Sequence, residues 1–286
     1  MQTAERNSLP EMMLRTKSDQ STADAFASSW NNLPSGSVYT LPQFIEWMEP
    51  LTTLDVKNKT VLELGCGNGS LLTHMALWNP AFLEGVDLGD SISSATKNLN
   101  SSAFKNWKII KGDLTGYQSG GFDLVYCIGV LHHLKNPRAG FDSVLANVKP
   151  AGRFHCWVYA KEGNGVVRYG VDPLRRLVCH FPWWFTKYGV ATPLAVPFYL
   201  YAKGLSNLPA WSLVKKLPMY EYSLWIAQRE FHFFRHVAFD QLVTPQTTFL
   251  DRGTIESWLS HPKIEASSVY LRMRNGNSWK FGGRVH

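Results

Sequence analysis

Two acids, three glycines and a pair of histidines stand at spacings that could do chemistry. Glu63 comes just before Gly65, Gly67 and Gly69, which occupy every second position. Such a turn brings backbone close to a ligand with no Cβ in the way. A helix starting near Ser70 would add unpaired N–H groups from its first turn. A dinucleotide fingerprint puts its third glycine three residues after the second. Here that glycine comes one residue early and position 70 is Ser. Glu63 would also set a negative charge beside a pyrophosphate, whereas an α-ammonium group suits it. Asp87 lies 18 residues past Gly69 and ends a second apolar run. An acid in that place of a doubly wound sheet takes ribose hydroxyls. His132 and His133 follow a further apolar run, at the mouth of the cleft. Either one of them is a base or substrate contact, or both pack locally. His132, nearer the strand end, is the candidate catalytic residue.

These residues need a frame of strands ending together. Thr60–Leu64, Leu83–Asp87, Trp107–Lys111, Phe122–Ile128 and Arg153–Tyr159 read as strands, the fourth apolar enough to be buried on both faces. Helical patterns alternate with them: Leu71 to Trp78, Ser91 to Leu99 with Asp90 as N-cap, and Pro137 to Val148. That alternation predicts right-handed crossovers and a parallel sheet. Earlier in the chain, Leu41 to Met48 suggests a helix, and Ser21-Thr22-Ala23-Asp24 a helix start after polar residues 1–22. Near the C-terminus, Asp251 can cap a helix to Leu259. Ile264–Met273 and Ser278–Val285 are strand-like around Asn275-Gly276, a strong hairpin signal.

Taken together, Val61-Leu62-Glu63-Leu64-Gly65-Cys66-Gly67-Asn68-Gly69 resembles motif I of the class I S-adenosylmethionine (SAM)-dependent methyltransferases. Leu83–Asp87, Ile109–Leu114, Phe122–His133 and Val148–Arg153 resemble the family's later motifs in order, with Ala151 in place of a glycine. The resemblance covers roughly residues 55–160. It implies an α/β fold: a doubly wound, seven-stranded, mostly parallel Rossmann-like sheet with an antiparallel last strand and a helical insertion after strand 5. It implies SAM as cofactor, held by Glu63, Gly65, Gly67, Asn68, Gly69, Asp87, Leu88, Asp113, Leu114 and Ile128, with Asp113 accepting from the adenine amino group. Phe26 and Trp30, four apart, match a segment that folds over the cofactor cleft in related enzymes; packing on the core is the other reading. The family has no fixed catalytic residue. No N/D-P-P-Y/F motif, Pro-Cys nucleophile or acid ends the fourth strand, which disfavours DNA-amino, cytosine-C5 and metal-dependent catechol chemistry.

Composition narrows the rest. With 286 residues and 45% hydrophobic content, the chain can hold a large α/β domain with an insertion. Four scattered cysteines, no apolar leader and no long apolar run point to a cytoplasmic protein. The formal charge is +7, and Lys161 to His236 carries ten bases against four acids. Sixteen of its 76 residues are aromatic. The expected organisation is an N-terminal helical segment over the cleft (1–50), a SAM-binding core (51–160), an aromatic, basic helical cap (161–240) and a return to the core (241–286). His232 and His236, four apart on a helix beside Phe233 and Phe234, read as a packed face, so no metal is expected. The expected activity is methyl transfer to O or N of a small or medium, partly apolar, anionic acceptor. Trp183-Trp184-Phe185 beside Arg175, Arg176 and Lys187 raises a membrane surface and a lipid-linked substrate. The same basic, aromatic stretch raises RNA, the less favoured partner. The rival from outside enzymology is a non-catalytic SAM-binding protein. Oligomeric state is left open.

Overall fold

The computed structural model describes residues 19–26 and 39–286. Expectations for Trp30 and residues 1–18 fall outside them. Described residues 19–26 are helical (α1), so Ser21 lies inside a helix and does not cap it. A tertiary contact ties it to the core: the Asp19 carboxylate accepts from the Lys135 N–H at 2.9 Å. No local capping signal could show that bond.

Helix α2 (Leu41–Met48) begins with Thr40 accepting from the Gln43 N–H, and α3 (Thr53–Val56) begins with a Thr52–Asp55 capping box. The core then alternates: β1 (Thr60–Leu64), α4 (Ser70–Ala76), β2 (Phe82–Asp87), α5 (Ile92–Asn100), β3 (Trp107–Lys111), β4 (Phe122–Ile128), α6 (Pro137–Ala146) and β5 (Val148–Tyr159). Two local expectations fail here. Asp90 does not cap α5; its carboxylate pairs with Lys111 at the end of β3. Strand β5 starts five residues before Arg153, because Val148 already pairs with Phe122 and the register then shifts. Ala151, at φ +60°, holds the bulge in the left-handed region where a glycine would sit more easily.

The segment after β5 contains α7 (Asp172–Val178), α8 (Thr192–Ser206), α9 (Tyr220–Ile226) and α10 (Phe231–Val243), with π-turns leading into α7 and α8. The chain returns through α11 (Arg252–Leu259), capped by Asp251 accepting from the Thr254 N–H at 2.8 Å, then β6 (Tyr270–Arg274) and β7 (Ser278–Arg284). β6 is shorter than its sequence suggests. Ile264 makes only an isolated bridge to Val285, and a 3₁₀ turn at Ala266–Ser268 interrupts the run.

The seven strands are ordered β3-β2-β1-β4-β5-β7-β6, all parallel except β7, which is antiparallel to both neighbours. This is the expected Rossmann-like sheet. Each face carries its own apolar layer, with Phe141 of α6 and Trp258 of α11 on one side and Phe44 of α2 and Leu72 of α4 on the other. The cap has two smaller clusters of its own, around Phe239 and around Phe234. Sheet register then fixes the site. Glu63 sits opposite Gly85 and Tyr126, so β1, β2 and β4 end side by side at one edge of the core.

Candidate functional site

The turn after β1 is held by the strand beside it. Gly65 and Cys66 N–H groups donate to the Val86 carbonyl at 2.7 and 3.1 Å. Gly65 has φ +83°, and a Cβ there would collide with Val130. Gly69, at φ +74°, stands where a Cβ would meet the Ala95 backbone at 3.0 Å. These two positions take glycine for different reasons: one for the ligand-side turn, the other for helix packing.

Asp87 closes the turn from β2. Its Oδ2 accepts from the Gly67 N–H at 2.9 Å and its Oδ1 from the Gly89 N–H at 2.8 Å. Burial raises its pKa, opposed by those two backbone donors. Each oxygen keeps a lone pair for a ligand hydroxyl. Glu63 is buried and accepts from the Tyr126 hydroxyl at 2.9 Å. No cation among the described residues pairs with it. Burial pushes its carboxyl up to about 8, the Tyr126 bond works against that, and the Asp87 charge adds to it. Asp113 is pinned through Oδ1 by the Thr115 N–H and hydroxyl at 2.8 and 2.7 Å.

Glu63, Gly65, Gly67, Asp87, Leu88, Asp113, Leu114 and Ile128 all line one cavity of about 480 Å³. Three sequence candidates stand elsewhere. Asn68 turns inward, its Oδ1 accepting from the Ser70 N–H and hydroxyl, and shapes the turn from behind. Gly69 packs on α5. His132 is fully buried and does not line the cavity. Its Nδ1 accepts from the Tyr159 N–H at 3.4 Å, and burial holds its pKa well below the usual histidine value. The neighbour His133 does line the cavity, but its Nδ1 is engaged by the Gln246 carbonyl at 3.0 Å and burial lowers its pKa to about 4. A 3₁₀ turn at Leu131–His133 causes the exchange, swinging the first ring into the core. Helix α1 covers this end, with Phe26 edge-on to His133 at 5.0 Å.

The cavity continues beneath the cap. Trp47 and Trp157 present indole Nε1 atoms without hydrogen-bond partners, as Gln43 does its Oε1. Arg274, at the end of β6, is buried against the Trp225 ring at 4.9 Å and donates to Glu46 at 2.9 Å. His236 and Asp240 enter from α10. His236 Nε2 lies 3.2 Å from Asp240 Oδ2, close but not aligned for a hydrogen bond, and its Nδ1 has no partner. The Asp240 charge is felt at Tyr39 and Tyr159, whose hydroxyls burial has already raised. None of these groups stood out as a site residue beforehand. His236 read as packing, and Arg274 only as the start of a hairpin turn. Unpartnered buried polar atoms are costly, so seven of them on six residues lining one cavity point to a polar ligand.

Residues 55–162 match the family described as methyltransferase domain. They form a class I SAM-dependent methyltransferase domain. Among curated relatives, a ubiquinone biosynthesis O-methyltransferase of Neisseria meningitidis is 33% identical over 102 residues, covering 34% of this chain and 43% of that protein. A tRNA U34 carboxymethyltransferase of Nautilia profundicola is 28% identical over 116 residues, 38% of this chain and 37% of that protein. The chain thus spans under half the length of either. In fold, the chain is similar to magnesium protoporphyrin IX methyltransferase of Synechocystis PCC 6803 with bound SAH, at TM-score 0.54 and 13% identity, covering 96% of this chain and 100% of that one.

The cavity fits the cofactor of such a domain, SAM. A buried acid without a cation suits an ammonium, and a backbone-braced aspartate suits ribose hydroxyls. Proton linkage follows. Below about pH 8 the unliganded Glu63 is protonated, so an arriving ammonium expels its proton. SAM affinity should therefore rise with pH from neutrality to about 8 and then level off. Calorimetry in buffers of different ionisation heat should show a proton released at pH 7. Glu63→Gln should abolish both the release and the slope; a slope that survives removes Glu63 from the ammonium site.

Proposed function

We propose that the protein is a SAM-dependent methyltransferase acting on O or N of a small or medium-sized, partly apolar acceptor. One observation carries the reading: the end built by Glu63 and Asp87 and the end built by the cap are a single cavity. Bound SAM supplies an electrophilic methyl on a sulfonium, which needs an aligned, dry nucleophile more than it needs acid catalysis. The chain provides those conditions. Glu63 and Asp87 hold the donor's two polar ends, and Asp113 stands where the adenine amino group would reach. Trp47, Trp157 and Tyr222 offer flat apolar walls for an acceptor. Arg274, half neutralised by Glu46, is the polar handle for an anionic group. His236, backed by Asp240, takes the proton that an acceptor hydroxyl or ammonium must lose.

Incubation with methyl-labelled SAM and cell extract tests this. The expected product is an acceptor heavier by one CH₂, with the label retained. SAM bound but never consumed would make the protein a non-catalytic binder. Activity confined to RNA, weakening steeply with salt, would move the acceptor to nucleic acid.

A further inference from the structure

The cap's outer surface is unlike the rest of the molecule. Thirteen of the twenty large apolar side chains exposed among the described residues lie between Pro173 and Tyr220. That same stretch contains no Asp or Glu and six Lys or Arg. Its aromatic residues are contiguous. Phe181 and Phe185 rings are 5.4 Å apart, Trp184 and Phe185 6.0 Å, and the Lys187 ammonium lies 5.8 Å from both the Trp183 and Tyr188 rings. Trp184 is 56% exposed and Leu200 64%. A lone exposed apolar residue needs no explanation, but thirteen on one acid-free segment, with the rings at 181–188 in contact, mark an interaction surface. The basic residues do not all join it: Arg175 is buried against Asp172, whereas Arg176 is exposed.

Helix α8 connects this surface to the site. Ala195 and Phe198 line the cavity, while Val196, Pro197 and Leu200 on the same helix face outward. Leu194 does both, lining the cavity and standing 39% exposed at its rim. One helix therefore separates the acceptor end of the cavity from the apolar exterior.

From these observations we infer that the α7–α8 face of the cap docks on an anionic phospholipid bilayer, and that the acceptor reaches the cavity from that bilayer. Tryptophan and tyrosine favour the headgroup level, and lysine and arginine stems lie along apolar surface with their charges toward anionic headgroups. A nucleic-acid surface would use the charges but leave Leu177, Leu200 and Trp211 in water. No helix among the described residues is long and apolar enough to cross a bilayer. The contact is interfacial.

Flotation of the full chain with vesicles of phosphatidylcholine, alone or mixed with phosphatidylglycerol, tests the docking. Enrichment on the mixed vesicles is expected, with a blue shift of tryptophan emission. The double substitution Trp184→Ser/Phe185→Ser should lower the bound fraction about tenfold, and Arg176→Glu should lower it further at low salt. Leu54→Ser, on the exposed side of α3, should change nothing, and melting curves report whether each variant is folded. Absence of enrichment, or full binding by the folded double variant, overturns the inference. So does self-association that the double substitution abolishes without any lipid binding, and so does RNA retention that depends on Arg176 but not on Trp184. The acceptor's source rests on the proposed methyl transfer and is read separately. Labelled SAM given to membrane and soluble fractions should mark the membrane fraction. Label confined to the soluble fraction removes the lipid source. No label in either sinks the methyltransferase reading and the acceptor with it, while vesicle binding still stands or falls by itself.

Discussion

Asp87→Ala should weaken SAM binding by about 1.5–3 kcal/mol, the range for hydrogen bonds to a charged group, roughly ten- to a hundredfold in Kd. Two effects combine. The ribose loses its acceptor, and the Gly67 N–H loses the oxygen that holds the turn at 2.9 Å. The unliganded fold should lose much less. Burial already disfavours the Asp87 charge, as its raised pKa shows, so removing it relieves a desolvation cost while freeing two backbone donors. Asp87→Asn should fall between, since the amide keeps one acceptor oxygen. Calorimetric titration reads the affinity and thermal melting reads the fold. Unchanged affinity would take Asp87 out of the site. A loss matched by a collapsed melting temperature would make its role structural.

Much of the core was legible because its chemistry is local. Glycine spacing, apolar runs of strand length and an acid at the end of β2 are properties of short segments, and parallel strands bring their ends to one edge whatever the helices do. The sequence could not show where a ring points after a turn. His132 and His133 are adjacent, and a 3₁₀ turn decides which one reaches the cavity. The Asn-Gly signal at 275–276 correctly marks a turn with both residues at positive φ, yet it hides Arg274, whose partners Glu46 and Trp225 are far away in the chain. The bond from Lys135 to Asp19 of α1 is long-range in the same way. Most of the acceptor end is of this kind. Its walls come from α2, β5, the cap and β6, and no spacing rule links them. Aromatic density marked the segment after β5, but not which of its rings face the cavity.

His236→Gln should cut turnover by about a hundredfold to ten-thousandfold, the span associated with a positioned base, while leaving SAM affinity unchanged. The geometry favours this residue over His132 and His133. His132 is sealed from the cavity, and the Nδ1 of His133 is already bound to backbone. His236 lines the cavity with both ring nitrogens unpartnered and a carboxylate 3.2 Å from Nε2. A modest rotation would give Nε2–H a bond to Asp240, fixing the tautomer with Nδ1 as acceptor; such bonds are often poorly aligned before substrate binds. Asp240→Asn should then reduce turnover less than His236→Gln does, since it disturbs the ring's orientation and not the base itself. Nitrogen chemical shifts of the His236 ring offer a check without any acceptor. They should report an unprotonated Nδ1 that changes in Asp240→Asn. Glutamine fills a similar volume and hydrogen-bonds without taking a proton, so a folded, SAM-binding His236→Gln variant with full turnover would mean that the acceptor arrives already deprotonated. A carboxylate acceptor would do so, and Arg274 would then be the residue that orients it.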